Sequence, residues 1–202
     1  MALPTTQRAI LQPSALSTAV KMITNNPVPT PNYSQNEHLI RVHATAITTG
    51  ELLWPKNFPL PPSPSSTNPK VLIPCNDVAG TVLLAPPNSP FPPGTEVYAR
   101  SSYTRTGCAR KYSILTGDEM AKKPKNLSWA EAAACPMSAE TAWQALFVHS
   151  GGVLRAEKGL GGRGGGFLLR LLRGVLGFGL CSWLSGWGLR LWGVVLRRMR
   201  GG

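Results

Sequence analysis

A chain of 202 residues and 21.6 kDa has room for one full domain and part of another, or for two small ones. Gly and Pro make up 40 of the residues, 43% are hydrophobic and only 15% charged, which excludes a charge-solvated disordered polymer and disfavours a helical bundle. The net charge of +12 would suggest nucleic acid or an anionic membrane as partner, but it is unevenly spread. Thr5–Gln12 and Thr18–Thr24 are predicted as short strands separated by Pro13-Ser14, with a proline-punctuated turn over Asn25–Pro31. From Glu37 the pattern tightens: Leu39, Arg41, His43 and Thr45 alternate with Ile40, Val42, Ala44 and Ala46. One face is then wholly apolar, as a half-buried strand requires. Thr48–Trp54 is expected to form a short helical turn, and the segment from Pro55 to Pro69 a proline- and serine-rich exposed loop.

Val71–Ile73 and Val78–Ala85 are predicted strands flanking Pro74-Cys75-Asn76-Asp77, the second carrying Gly80, a mark of a bulge or a close backbone approach. Pro92-Pro93-Gly94-Thr95 is a turn from which Glu96–Arg100 leaves as a strand, and Lys111–Leu115 is another. At least five short strands divided by turns predict a barrel or sandwich. The period then changes. Ser128-Trp129-Ala130-Glu131 is a capping box opening a helix that Pro136 stops. Ser138 can cap a second helix, Ala139–His149, ended by Gly151-Gly152.

After Glu157 there is no acidic residue, while Lys158 and seven arginines follow, so two thirds of the net charge lies in residues 158–202. Residues 159–202 contain only Gly, Leu, Arg, Phe, Val, Cys, Ser, Trp and Met, each of which has a codon with G or T in the middle position. Folded domains need Asp, Asn and Thr for caps and turns and mixed charge at the surface. The expectation is therefore a non-native-looking tail, the product of a shifted frame or an unspliced intron. Gly159-Leu160-Gly161-Gly162-Arg163-Gly164 satisfies G-x-G-x-x-G, but Val153–Lys158 is a poor strand and no acid follows for a ribose. With 14 glycines in the last 45 residues, such a match is expected by chance.

The four cysteines, at 75, 108, 135 and 181, have no C-x-x-C spacing, which fits neither a zinc knuckle nor a disulfide scaffold. The start, Met-Ala-Leu-Pro-Thr-Thr-Gln-Arg, lacks the apolar stretch of a secretory signal, so a cytoplasmic setting is expected.

Three segments resemble the medium-chain dehydrogenase/reductase superfamily, in particular its zinc-independent quinone- and enone-reductase branch. They are Arg41-Val42-His43-Ala44-Thr45-Ala46-Ile47-Thr48-Thr49-Gly50-Glu51; Ile73–Val82 with Phe91–Ala99; and Leu127–Pro136 with Thr141-Ala142-Trp143-Gln144-Ala145-Leu146. The resemblance covers residues from about 5 to 150. It implies a mainly β fold with flanking helices: a chaperonin-10-like, partly open β-barrel over residues 1–127, then a helical connection over 128–152. Residues 153–202 would stand where a Rossmann domain belongs.

The chemistry so implied is NADPH-dependent reduction of quinones or activated alkenes and carbonyls, the cofactor supplying the hydride and the protein orientation and polarity. By the same resemblance Thr48 and Thr141 lie near the nicotinamide, and Glu51 is the acidic turn residue, a candidate catalytic group that in the family more often braces the turn. The zinc-dependent branch carries a Cys in that turn and a His-Glu pair before the later strand. Here Thr48-Thr49-Gly50-Glu51 and Cys75-Asn76-Asp77 occupy those places, so the resemblance implies no zinc. His43 is expected to be a barrel-face residue, and His149 to favour a helix C-terminus. Tyr98 and Tyr103 are carbonyl hydrogen-bond donors that nothing singles out.

Without a cofactor domain the chain would be inactive alone. A non-catalytic barrel, alone or as a homodimer, is a competing class, and so is a protein acting on membranes or nucleic acid through its basic tail. The uncharged run Gly174–Leu189 is shorter than the ~20 residues a span needs.

Overall fold

The computed structural model describes residues 3–60 and 70–144. The chain divides into two compact units, Met1–Pro136 and Met137–Gly202. In the first, β1 (Thr6–Leu11) and β2 (Lys21–Pro27) form an antiparallel pair. β3 (Glu37–Ala46), β4 (Asp77–Leu84), β5 (Glu96–Arg100), β6 (Tyr112–Thr116) and β7 (Met120–Lys122) form an antiparallel sheet in the order β6-β3-β4-β5-β7. The pair meets the sheet side through the Ala9–Arg110 bridge and the bond from Ile10 N–H to the Ala109 carbonyl, 2.8 Å. Among the described residues this unit also has two short α-helices, α1 (Trp54–Asn57) and α2 (Trp129–Ala133), and 3-10 turns at Tyr33–Gln35 and Glu51–Leu53; α2 packs against β3, β4 and β5.

The core follows from the pleat. Ile40, Val78, Val82, Val97, Ala99, Leu115 and Met120 project from five strands into one cluster, together with Cys108. Leu39 points the other way, into a second cluster with Tyr112 and Ile114. The expected simple alternation in β3 therefore holds only from Arg41 onward: His38, Leu39 and Ile40 are all fully buried in succession. The cause is that β3 is flanked by both β4 and β6 and is covered on both faces at this end, with an irregular register between Leu39 and Ile40. Gly80 is the close approach that its place in β4 suggested. A Cβ there would lie 2.3 Å from the Arg41 carbonyl oxygen, opposite the second irregularity of β3, between Val42 and Ala44.

Several boundaries differ from expectation. Val71–Ile73 is no strand. Pro74 has no N–H and the Ile73 N–H turns back to the Val71 carbonyl, so only carbonyls remain for Gln12 and Gly107 to reach. β2 begins three residues later than expected and runs to Pro27. β7, three residues with one buried apolar side chain, is too short to show a period.

The Ser128 box forms as expected: the Ser128 hydroxyl accepts from the Glu131 N–H and the Glu131 carboxylate accepts from the Ser128 N–H. α2 ends ahead of Pro136, as expected, but Pro136 itself opens α3 (Pro136–Trp143), so Ser138 lies inside that helix rather than capping it. Proline suits the first helical turn because that N–H has no intrahelical partner. α3 belongs, beyond Pro136, to the second unit. His149, the glycine-rich hexapeptide at 159–164 and the basic tail lie outside the described residues.

Candidate functional site

The turn after β3 is built around one carboxylate. Gly50 has φ +79°, a conformation with no steric cost for glycine, and it lets the chain reverse so that the Glu51 N–H donates to the Thr48 carbonyl at 3.0 Å. The Glu51 side chain turns back and accepts from the Thr48 N–H at 2.9 Å. Its other oxygen accepts from the Cys75 N–H at 2.7 Å, the Asn76 N–H at 3.1 Å and the Asn76 side-chain amide at 3.3 Å. Glu51 is buried, and burial raises its pKa above the ordinary carboxyl value. The N–H groups of Thr48, Cys75 and Asn76 and the charge of Lys70 pull it the other way. This one side chain thus fastens the β3 turn to the loop before β4. The Thr48-x-x-Glu51 spacing is that of a capping box, the signal that announces the first of these bonds.

The loop held by Glu51 is strained at Cys75, whose φ of +71° is rare for a residue with a Cβ. Its carbonyl accepts from the Cys108 N–H at 2.6 Å, and the Asn76 carbonyl accepts from the Ser101 N–H at 2.8 Å. The Cys75 thiol is buried and its pKa is pushed up to about 12, by burial first and then by the charge of Glu51.

Beside Glu51 opens a small cleft whose interior of about 20 Å³ has room for a water-sized group; Gln12, Trp54, Lys70 and Tyr103 are among its walls. Lys70 Nζ donates to the Tyr103 carbonyl and lies 3.8 Å from the centre of the Tyr103 ring. Burial lowers its pKa to about 8, against the opposing charge of Glu51. The Tyr103 ring meets Trp54 edge-on at 5.8 Å, and its hydroxyl donates to the Phe58 carbonyl. Sequence reasoning missed Lys70, Gln12 and Trp54, which lie outside the three family-like segments. Only the fold brings them to the turn.

Of the expected site residues, Thr48 and Glu51 are brought together. Thr141 lies on α3, exposed, in the second unit. His43 is a barrel-face residue: its Nε2 is 3.0 Å from the Thr81 hydroxyl and its ring stacks on Trp129 at 4.3 Å. Tyr98 is buried in β5.

A zinc ion was tested against the donors present. Among the described residues no three His, Cys, Asp or Glu side chains gather closely enough to hold a metal. In the turn, the Glu51 oxygens are already engaged with N–H donors, and Cys75 is the one thiol beside them among the described residues. These residues do not fit a tetrahedral zinc centre. No helix among the described residues is long and apolar enough to cross a membrane.

No protein-family model matches the chain. A mitochondrial protein of Arthroderma benhamiae assigned as a zinc-binding oxidoreductase is 48% identical over 148 residues, 73% of this chain and 42% of that protein. The 2-methylene-furan-3-one reductase of Solanum lycopersicum is 30% identical over 161 residues, 74% of this chain and 40% of the reductase. A shorter match, 36% identical over 81 residues, 37% of this chain and 21% of the other, is to a mitochondrial NAD(P)H oxidoreductase of Danio rerio.

Among solved structures, a protein of Rhizobium etli described as a zinc-dependent alcohol dehydrogenase superposes with a TM-score of 0.56 at 28% identity. That match covers 70% of this chain and 40% of the other. The chain spans about two fifths of the length of the Arthroderma benhamiae and Solanum lycopersicum relatives. The open, mainly β sheet with its short helices is the chaperonin-10-like fold of these enzymes. The relatives and structural neighbours that the N-terminal part of the chain resembles are members of the medium-chain zinc-type alcohol dehydrogenase and quinone oxidoreductase family.

Proposed function

We propose that the first 127 residues form the substrate-side barrel of an NAD(P)H-dependent reductase of quinones or activated alkenes and carbonyls, joined by residues 128–152 to a region that does not grip the cofactor. The observation that carries this reading is the Glu51 carboxylate, which fixes the Thr48 turn against the loop before β4 and so presents a defined wall. The name of the tomato reductase supports an activated alkene as substrate, and that of the zebrafish oxidoreductase a nicotinamide cofactor. When bound, that cofactor supplies the hydride.

Thr48 and Thr141 are proposed to line the nicotinamide. Glu51 is proposed as a positioning residue that acts on Thr48, since its oxygens are engaged with backbone N–H groups. No zinc takes part in this reading, because a turn without a cysteine and a carboxylate spent on N–H donors leave no ligand set. Residues 159–202 contain no acid and no Asn, Thr or Pro, which argues against a dinucleotide-binding unit there. The chain alone is therefore proposed to be inactive, whether monomer or homodimer, with a small-molecule substrate, no specific nucleic-acid partner and a cytoplasmic location.

The test is titration of the purified full chain with NADPH, followed by cofactor fluorescence, with elemental analysis for zinc on the same sample. No saturable change and less than stoichiometric zinc are expected. Micromolar NADPH binding overturns the claim about the cofactor, and one zinc per chain overturns the claim about the metal.

A further inference from the structure

We propose that Lys70 is the polar anchor of the cleft beside Glu51, holding the carbonyl oxygen of a neutral enone or quinone; this rests on the reductase reading above. The donors and acceptors on the walls of the cleft support it. Glu51 can only accept while ionised, and both its oxygens already do so. The Gln12 side-chain amide donates to the Ser17 carbonyl at 2.6 Å and the Leu52 carbonyl at 2.8 Å. The Asn76 amide donates to Glu51, and the Tyr103 hydroxyl to Phe58. Lys70 has three N–H donors and commits one to the Tyr103 carbonyl. It is thus the charged wall residue with donor capacity left for an incoming oxygen; the Asn76 amide and the Trp54 indole N–H on the same wall are neutral, weaker donors.

The surroundings also select the ligand. Trp54 and Tyr103, which meet each other edge to face, make part of the wall aromatic, as suits a planar unsaturated system. The Glu51 carboxylate on the same wall disfavours an anionic ligand, so a neutral carbonyl is the better match than a carboxylate. With about 20 Å³ inside, the cleft takes the oxygen end of the molecule, and the rest extends outward. An ammonium in partly dry surroundings is a strong hydrogen-bond donor to such an oxygen.

The titratable groups lining the cleft with Lys70 are Glu51 and Tyr103; burial raises the Tyr103 phenol above its ordinary value, so it stays protonated through pH 9. The pH dependence of binding on the alkaline side then follows Lys70. With its pKa at about 8, the charged fraction falls about tenfold between pH 7 and pH 9.

The experiment uses the full chain and duroquinone, a quinone with no free ring position to alkylate, with binding measured by ligand-observed NMR and equilibrium dialysis. Wild type is expected to bind, with Kd rising about tenfold from pH 7 to pH 9. Lys70→Met is expected to weaken binding about tenfold or more at pH 7, and Lys70→Arg to keep it within about threefold with no loss at pH 9. If Lys70→Met fails to fold by circular dichroism, the flattened pH profile of Lys70→Arg carries the test. Unchanged affinity in Lys70→Met, or an unchanged pH profile in Lys70→Arg, overturns the proposal and leaves the reductase reading standing. Failure of wild type to bind duroquinone or an enone overturns both.

Discussion

Truncating Glu51 to alanine is the sharpest perturbation of the site. It removes the acceptor of four N–H groups at once: those of Thr48, Cys75 and Asn76 and the Asn76 side-chain amide. A buried donor left without a partner costs about 1–3 kcal/mol. The full sum is not reached, because the adjoining cleft admits water and the buried charge is relieved at the same time. A loss of about 2–4 kcal/mol is expected, which for a chain of this size lowers Tm by roughly 4–16 °C. Glu51→Gln keeps one acceptor and removes the charge, so its cost is smaller, below about 1.5 kcal/mol.

The pH dependence has a definite sign. The folded carboxyl has a pKa above its ordinary value of 4.5, so the unfolded chain loses this proton first. The contribution of Glu51 is fully present below pH 4.5 and declines as pH rises through the folded value, and Glu51→Gln lacks that decline. Urea unfolding of the full chain across this range measures both effects. Glu51→Ala within 0.5 kcal/mol of wild type, a difference usual for about any surface change, refutes the bracing role.

Gly80→Ala is expected to cost about 3 kcal/mol or more, or to prevent folding, because the new Cβ meets the Arg41 carbonyl and the Ile40 side chain; thermal melts of the soluble variant report it. Cys75 and Cys135, each pushed up to about 12 by burial, and fully buried Cys108 are expected to resist iodoacetamide at pH 8 and to react on unfolding, as read by peptide mass mapping.

Much of the barrel was legible because its signals are local. The apolar alternation of β3, the Pro92-Pro93-Gly94 turn and the Ser128 box each report a structure made by neighbours in the chain. The misreadings arose where distant partners decide. Val71–Ile73 has strand-like residues, yet its hydrogen bonds go to Gln12 and Gly107, and its own N–H groups are spent locally or lost to Pro74. A proline both ends the helix before it and begins the next, so Pro136 marks the end of α2 correctly while hiding that α3 starts there and not at Ser138.

The family resemblance points to the turn residues Thr48 and Glu51, and their T-x-x-E spacing is an independent local signal of the bond between them. Lys70 was invisible. No periodicity marks a lone lysine after a proline-rich stretch, and its depressed pKa arises from burial in the folded chain, against the opposing charge of Glu51.

On the function proposed above, this barrel offers a substrate wall while the chain does not hold the hydride donor. Cofactor oxidation by the purified full chain, given NADPH and duroquinone together and followed by absorbance, tests it most directly. No oxidation above the protein-free rate is predicted. Oxidation proportional to protein concentration and lost in Glu51→Ala would contradict it.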